Sequence, residues 1–222
     1  MKKGSDNNNL GVSLIKSVTQ SGAGEIARDV SEMALDSILD EGLLKDVPVF
    51  GLLAKFYAVA GTVRDHIFLK KVASFLFGTS LAPQGVKDKF RETLDADPGF
   101  CRKVGENLIL LLERHDHFDK SLLLGRVFSE YLNNRINYEH FLRIASSIDR
   151  VPITDLNQLS SYKDRMDSYD GTSRGSFANA LNADTCQSLY TSGLVTSGSA
   201  FETSYQPNEV MKLLVDLIGS YR

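Results

Sequence analysis

The chain has 222 residues, 42% of them hydrophobic and 24% charged, with a net charge of -3. That length and balance fit one large or two small domains whose core needs neither disulfides nor metal, and they exclude global disorder. They also exclude binding of nucleic acid by bulk charge: residues 150–222, where such a module would have to lie, carry 6 basic and 8 acidic groups.

Residues 1–9 are polar and turn-like and are expected to form a disordered arm. Leu10–Val18 reads as a short helix, ended by Ser21-Gly22-Ala23-Gly24. Glu25–Leu39 is a second, with Ile26, Val30, Met33, Ala34 and Ile38 at helical spacing and Gly42 as its stop. Asp46-Val47-Pro48 starts the next helix with a carboxylate and a first-turn proline. The run Val49–Val63 follows, Arg64-Asp65 interrupts it, and His66–Phe77 forms another helix. Pro83 opens a polar helix to about Leu94. Asp97-Pro98 starts a further one along Val104, Leu108, Leu111 and Leu112, and His115-Asp116-His117 is its turn. Residues 119–132 carry Leu122, Leu123, Val127, Phe128 and Tyr131 at helical spacing, with Asn133-Asn134 as the stop. Asn137–Ile148 completes a three-helix unit over residues 98–149. Residues 160–180 read as a linker. Ala183–Tyr190 is a short helix. Strands around Leu194-Val195-Thr196 and Ala200–Tyr205 flank the turn Ser197-Gly198-Ser199, and Pro207 begins a last helix through Ile218.

The hairpin 47–78 stands out. Phe50, Leu52, Leu53, Phe56, Tyr57, Val59 and Val63 cover nearly the whole circumference of the first helix, and Lys55 is its one charge. A helix apolar all round must be buried in protein or in lipid. At 1.5 Å per residue the run is about 22 Å long, short of the roughly 30 Å needed to span a bilayer. Three readings stay open. The helix is the core of a helical domain. Alternatively, the hairpin enters a membrane surface, with Lys55, Arg64, Lys70 and Lys71 toward anionic headgroups and Phe50, Leu53, Phe56, Tyr57, Phe68 and Phe75 toward lipid or a partner. The third is a homo-oligomer face built on Gly51, Ala54, Ala58 and Gly61.

In residues 183–218 the order is short helix, Ser192-Gly193, apolar pair Leu194-Val195, turn, aromatic strand and helix. With Leu189, Tyr190 and Tyr205, this resembles the second half of a winged-helix domain. The resemblance implies a module that binds DNA or protein. The helix Ala183–Tyr190 carries Asp184 and no base, and the wing carries Glu202 and no base, so the residues favour a protein contact over phosphates. The rest of the chain resembles uncharacterised bacterial proteins of no named family.

Other motifs are weaker. Glu113, His115, Asp116, His117 and Asp119 are close in sequence but fall on a helix–helix turn, which is expected to be exposed rather than to hold metal. Gly22-Ala23-Gly24 lacks the preceding strand of a nucleotide-binding loop, and residues 129–140 lack the alternating oxygens of a calcium loop. Cys101 and Cys186 lie in no ligand pattern and read as ordinary thiols of a reducing compartment. Met1-Lys2-Lys3 leads into Gly4–Asn9 rather than an apolar segment, so the expected location is the cytoplasm or the inner face of the membrane.

The expected fold is mainly α: helical bundles over residues 10–150 around the apolar hairpin, then a small α+β winged-helix-like module over 151–222. The expected function is a non-enzymatic interaction protein that associates with a membrane or partner through residues 47–78, in a bacterial stress or phage-defence system. No cofactor or metal is expected, and the sequence identifies no small-molecule substrate. A winged-helix nucleic-acid-binding regulator and an unrecognised enzyme are the alternatives.

Overall fold

A computed structural model describes residues 3–33, 46–57, 62–159, 183–199 and 202–219, with the side chains of 3–9, 56–57, 183, 198–199, 202–204 and 219 left aside. The protein is mainly α. Eleven helices and one two-stranded antiparallel sheet near the C-terminus make up the described residues. The chain divides into two compact units, residues 1–137 and 138–222.

The first unit contains seven helices: α1 (Lys3–Thr19), α2 (Ala23–Glu32), α3 (Pro48–Tyr57), α4 (Val63–Thr79), α5 (Gln84–Ala96), α6 (Pro98–Arg114) and α7 (Phe118–Leu132). Helix α1 begins inside the segment expected as a polar arm. Its Leu10, Leu14, Ile15 and Val18 form one buried stripe. Helix α6 starts where Asp97-Pro98 predicts, with Asp97 Oδ1 accepting from the Phe100 N–H at 2.9 Å. Val104, Leu108 and Leu112 of α6 are buried. Helix α2 ends at Glu32, before the expected Leu39, and Met33 leaves the helix with extended backbone (φ -64°, ψ 153°). Residues 34–45 lie outside the described set.

Two crossings set the spacing of this unit. Helix α1 meets α6 where Gly11 opposes Gly105: a methyl carbon added to Gly11 would stand 2.8 Å from the Gly105 carbonyl carbon. Helix α4 meets α7 at Gly78 and Gly125, where Ser129 Oγ donates to the Gly78 carbonyl at 3.2 Å. Missing side chains let backbones approach and dispersion contacts multiply. Beside the second crossing Phe75, Phe90, Phe128 and Tyr131 form an aromatic cluster with ring centroids 5.4–5.9 Å apart. Asn134, at φ 57°, closes α7 in the left-handed conformation that Asn133-Asn134 signals.

In the second unit, α8 (Tyr138–Arg150) buries Phe141, Ile144, Ala145 and Ile148. It falls within the second unit, whereas the sequence reading groups it with the helices of residues 98–149. A short helix α9 (Ile153–Gln158), absent from the sequence reading, follows Pro152 and buries Leu156. The expected linker, 160–180, lies outside the described residues. Helix α10 (Ala183–Thr191) buries Cys186 and Leu189 and ends at Gly193, φ 77°, with the Leu194 N–H donating to the Leu189 carbonyl at 2.9 Å. Strand β1 (Val195–Ser199) pairs antiparallel with β2 (Glu202–Pro207), Val195 opposite Pro207 and Ser197 opposite Tyr205. Asn208 Oδ1 then accepts from the Met211 N–H at 3.0 Å, starting α11 (Glu209–Gly219).

Candidate functional site

The hairpin predicted from sequence is the pair α3–α4, and its local start signals are clear. Val47 and Val49 are buried, and the Val49 N–H, one of the orphan donors of α3, is satisfied by Ser17 Oγ of α1 at 3.0 Å. Arg64-Asp65, read as an interruption, is instead the first turn of α4. Thr62 and Asp65 form a reciprocal capping box, with the Thr62 N–H donating to Asp65 Oδ2 at 2.8 Å. Those hydrogen bonds from Thr62 hold the Asp65 carboxyl below its ordinary pKa. The signal was present in the sequence as Thr-x-x-Asp.

The structure separates the candidate residues into three groups. Phe50, Leu53 and Phe75 are buried and Phe68 is half-buried within the first unit. Lys55 and Arg64 are exposed, and so is Val63, at 69%. The side chains of Phe56 and Tyr57, and residues 58–61 with Ala58, Val59 and Gly61, lie outside what is described. No described helix is long and apolar enough to cross a membrane.

Lys70 and Lys71 form the third group, and both address helix C-termini. Lys70 Nζ donates to the Met33 carbonyl just past α2 at 2.9 Å and lies 5.2 Å from the centre of the Phe118 ring. Lys71 Nζ is 3.4 Å from the Glu113 carbonyl in the last turn of α6. A cation there complements the negative end of the helix dipole. Partial burial pulls the Lys71 pKa down, against the opposing pull of Asp116.

The α6–α7 corner differs from its expected exposure. His115 is 1% exposed and its Nδ1 lies 3.0 Å from Ser121 Oγ, itself fully buried. Among the described residues its Nε2 has no hydrogen-bond partner. Burial, reinforced by Lys120 and Lys71, lowers the His115 pKa to about 4. Lys120, 2% exposed, pairs with Asp116 at 2.9 Å. Burial raises the Asp116 pKa, but the hydrogen bond and charge of Lys120 outweigh it and the net shift is downward. His117 and Asp119 pair with each other at the surface, 3.3 Å apart. Among the described residues, no group of three His, Cys, Asp or Glu side chains is arranged to hold a metal.

No family model, curated protein or solved structure matches the chain.

A polar cleft of about 560 Å³ between α1 and α5 is lined by Lys16, Gln20, Gln84, Asp88, Arg91 and Asp95, but its forks are already engaged: Gln84 and Arg91 both donate to the Thr19 carbonyl, at 3.1 Å each. In the second unit Tyr190, 46% exposed, lies against Tyr205 with ring centroids 5.9 Å apart. Burial raises the pKa of both Cys101 and Cys186, which keeps them as unreactive thiols near neutrality.

Proposed function

We propose that the chain is a non-enzymatic interaction protein that docks on an anionic surface, a membrane face above all, through the tip of the α3–α4 hairpin. The carrying observation is the division of labour within the hairpin. Phe50, Leu53 and Phe75 are consumed by the core, whereas the described part of the tip, Lys55 toward the end of α3 and Val63 and Arg64 in the first turn of α4, is exposed. Exposed cations and an exposed aliphatic side chain suit headgroup contact with shallow insertion. Lys70 and Lys71 are engaged at helix ends and are not part of this docking set. A bacterial stress or phage-defence context remains the setting we propose for it.

The test is co-sedimentation with vesicles containing anionic lipid. The double variant Lys55→Glu, Arg64→Glu should lose binding while keeping the wild-type helical signal, since both side chains are exposed. Equal binding by wild type and variant rules out the tip.

A second reading, a winged-helix regulator that binds nucleic acid, is favoured by the order of α10, the β1–β2 hairpin and α11. The charge opposes it: residues 183–209 contain Asp184, Glu202 and Glu209 and no Lys, Arg or His. A shift of duplex DNA that weakens steeply with salt would favour this reading over the first.

A further inference from the structure

We propose that the α6–α7 corner is an acid-released latch on α4: proton uptake by His115 unseats the corner and frees the Lys70–Lys71 segment from it. The inference does not depend on what the hairpin tip binds. A neutral imidazole has one donor and one acceptor nitrogen, and Ser121 satisfies Nδ1. Protonation gives the ring a second N–H donor, and Nε2 has no hydrogen-bond partner among the described residues. The surrounding charges also oppose it. Lys71 on α4, Arg114 at the end of α6 and Lys120 on α7 all act against a positive ring, and among the described residues Asp116 in the turn favours it. Asp116 is already paired to Lys120.

A buried cation without an acceptor is relieved by moving out to water. The part that must move is the turn holding His115, which is also what α4 grips. Lys71 reaches the Glu113 carbonyl two residues before His115, and Lys70 lies over Phe118 three residues after it. His117 and Asp119 are exposed and pair with each other at the surface, outside the buried contact of His115.

The experiment is amide hydrogen exchange on the full chain, corrected for the intrinsic pH dependence, read at the corner (residues 111–124) and at the Gly11–Gly105 crossing. Between about pH 6.5 and pH 4.5 the corner should lose protection on the order of thirtyfold more than the crossing, the factor expected for one proton taken up by an opened histidine. His115→Asn, which retains a partner for Ser121 without titrating, should abolish the difference. Uniform loss across the unit, or the same corner-specific loss in His115→Asn, overturns the latch. Should that variant fold poorly, NMR titration of the His115 ring in the wild type decides: a ring that titrates at or above the ordinary histidine range also overturns it.

Discussion

Gly78 of α4 and Gly125 of α7 meet backbone to backbone: a methyl carbon added at either would lie 2.9 Å from the Cα of the other. The contact draws α4, the second helix of the hairpin, hard against α7. The added carbon at Gly125 would also collide with the Phe75 carbonyl oxygen, which is backbone and cannot rotate away. Gly125→Ala is therefore expected to destabilise the protein by about 3 kcal/mol, near the upper end for overpacking. Gly85 in the first turn of α5 has nothing within 4 Å, and Gly85→Ala should leave stability unchanged or raise it by up to about 1 kcal/mol. Urea unfolding midpoints of the two variants, side by side, check the pair.

The capping box gives a local prediction. Thr62→Val removes the side chain that accepts from the Asp65 N–H and should cost about 1 kcal/mol. Because Asp65 titrates below its ordinary value, its contribution is complete above the unfolded carboxylate pKa and is lost only as pH falls through the lower folded value. Thermal melts at neutral pH should therefore separate wild type from variant, and the gap should narrow in strong acid.

His115 predicts a pH dependence in a different window. The unfolded ring takes up its proton near pH 6.5 and the folded ring only near 4. Between those values the unfolded state binds more protons, so stability falls as pH is lowered and levels off below about 4. The whole effect is about 3 kcal/mol at most. Urea midpoints measured from pH 7 to pH 4 should show this slope in the wild type and a flatter profile in His115→Asn.

Much of this fold is written locally. Asp97-Pro98, Asp46-Val47-Pro48 and Asn133-Asn134 mark helix ends because capping chemistry depends on neighbours in sequence. The periodic apolar stripe of α6 marks its buried face for the same reason. What escaped was set by tertiary context. Thr62-x-x-Asp65 carries its own signal but was hidden by reading Val63 as the end of one helix rather than the start of the next. His115 looks like a turn residue in sequence, and only the approach of α4 and α7 buries it. Nothing in the sequence indicated that Lys70 and Lys71 would serve the ends of α2 and α6, since their partners lie 37 and 42 residues away. Nor did the sequence single out Gly11, Gly105, Gly78 and Gly125 as close-approach glycines, because pairing of small residues depends on which helices cross.

Lys70 offers a check on that tertiary role. Lys70→Met keeps the apolar stem but removes the ammonium that contacts the Met33 carbonyl and the Phe118 ring. A loss of about 1 kcal/mol is expected, with little effect on vesicle binding. A large loss of binding with unchanged stability would instead return Lys70 to the docking surface.

The most direct measurement pairs folding and docking in one variant, Val63→Asp. Val63 is exposed, so the account predicts a melting temperature close to wild type together with clearly reduced flotation on anionic vesicles. A wild type that fails to float on such vesicles, or a Val63→Asp protein that floats as well as the wild type, would contradict the claim that the hairpin tip is the docking element.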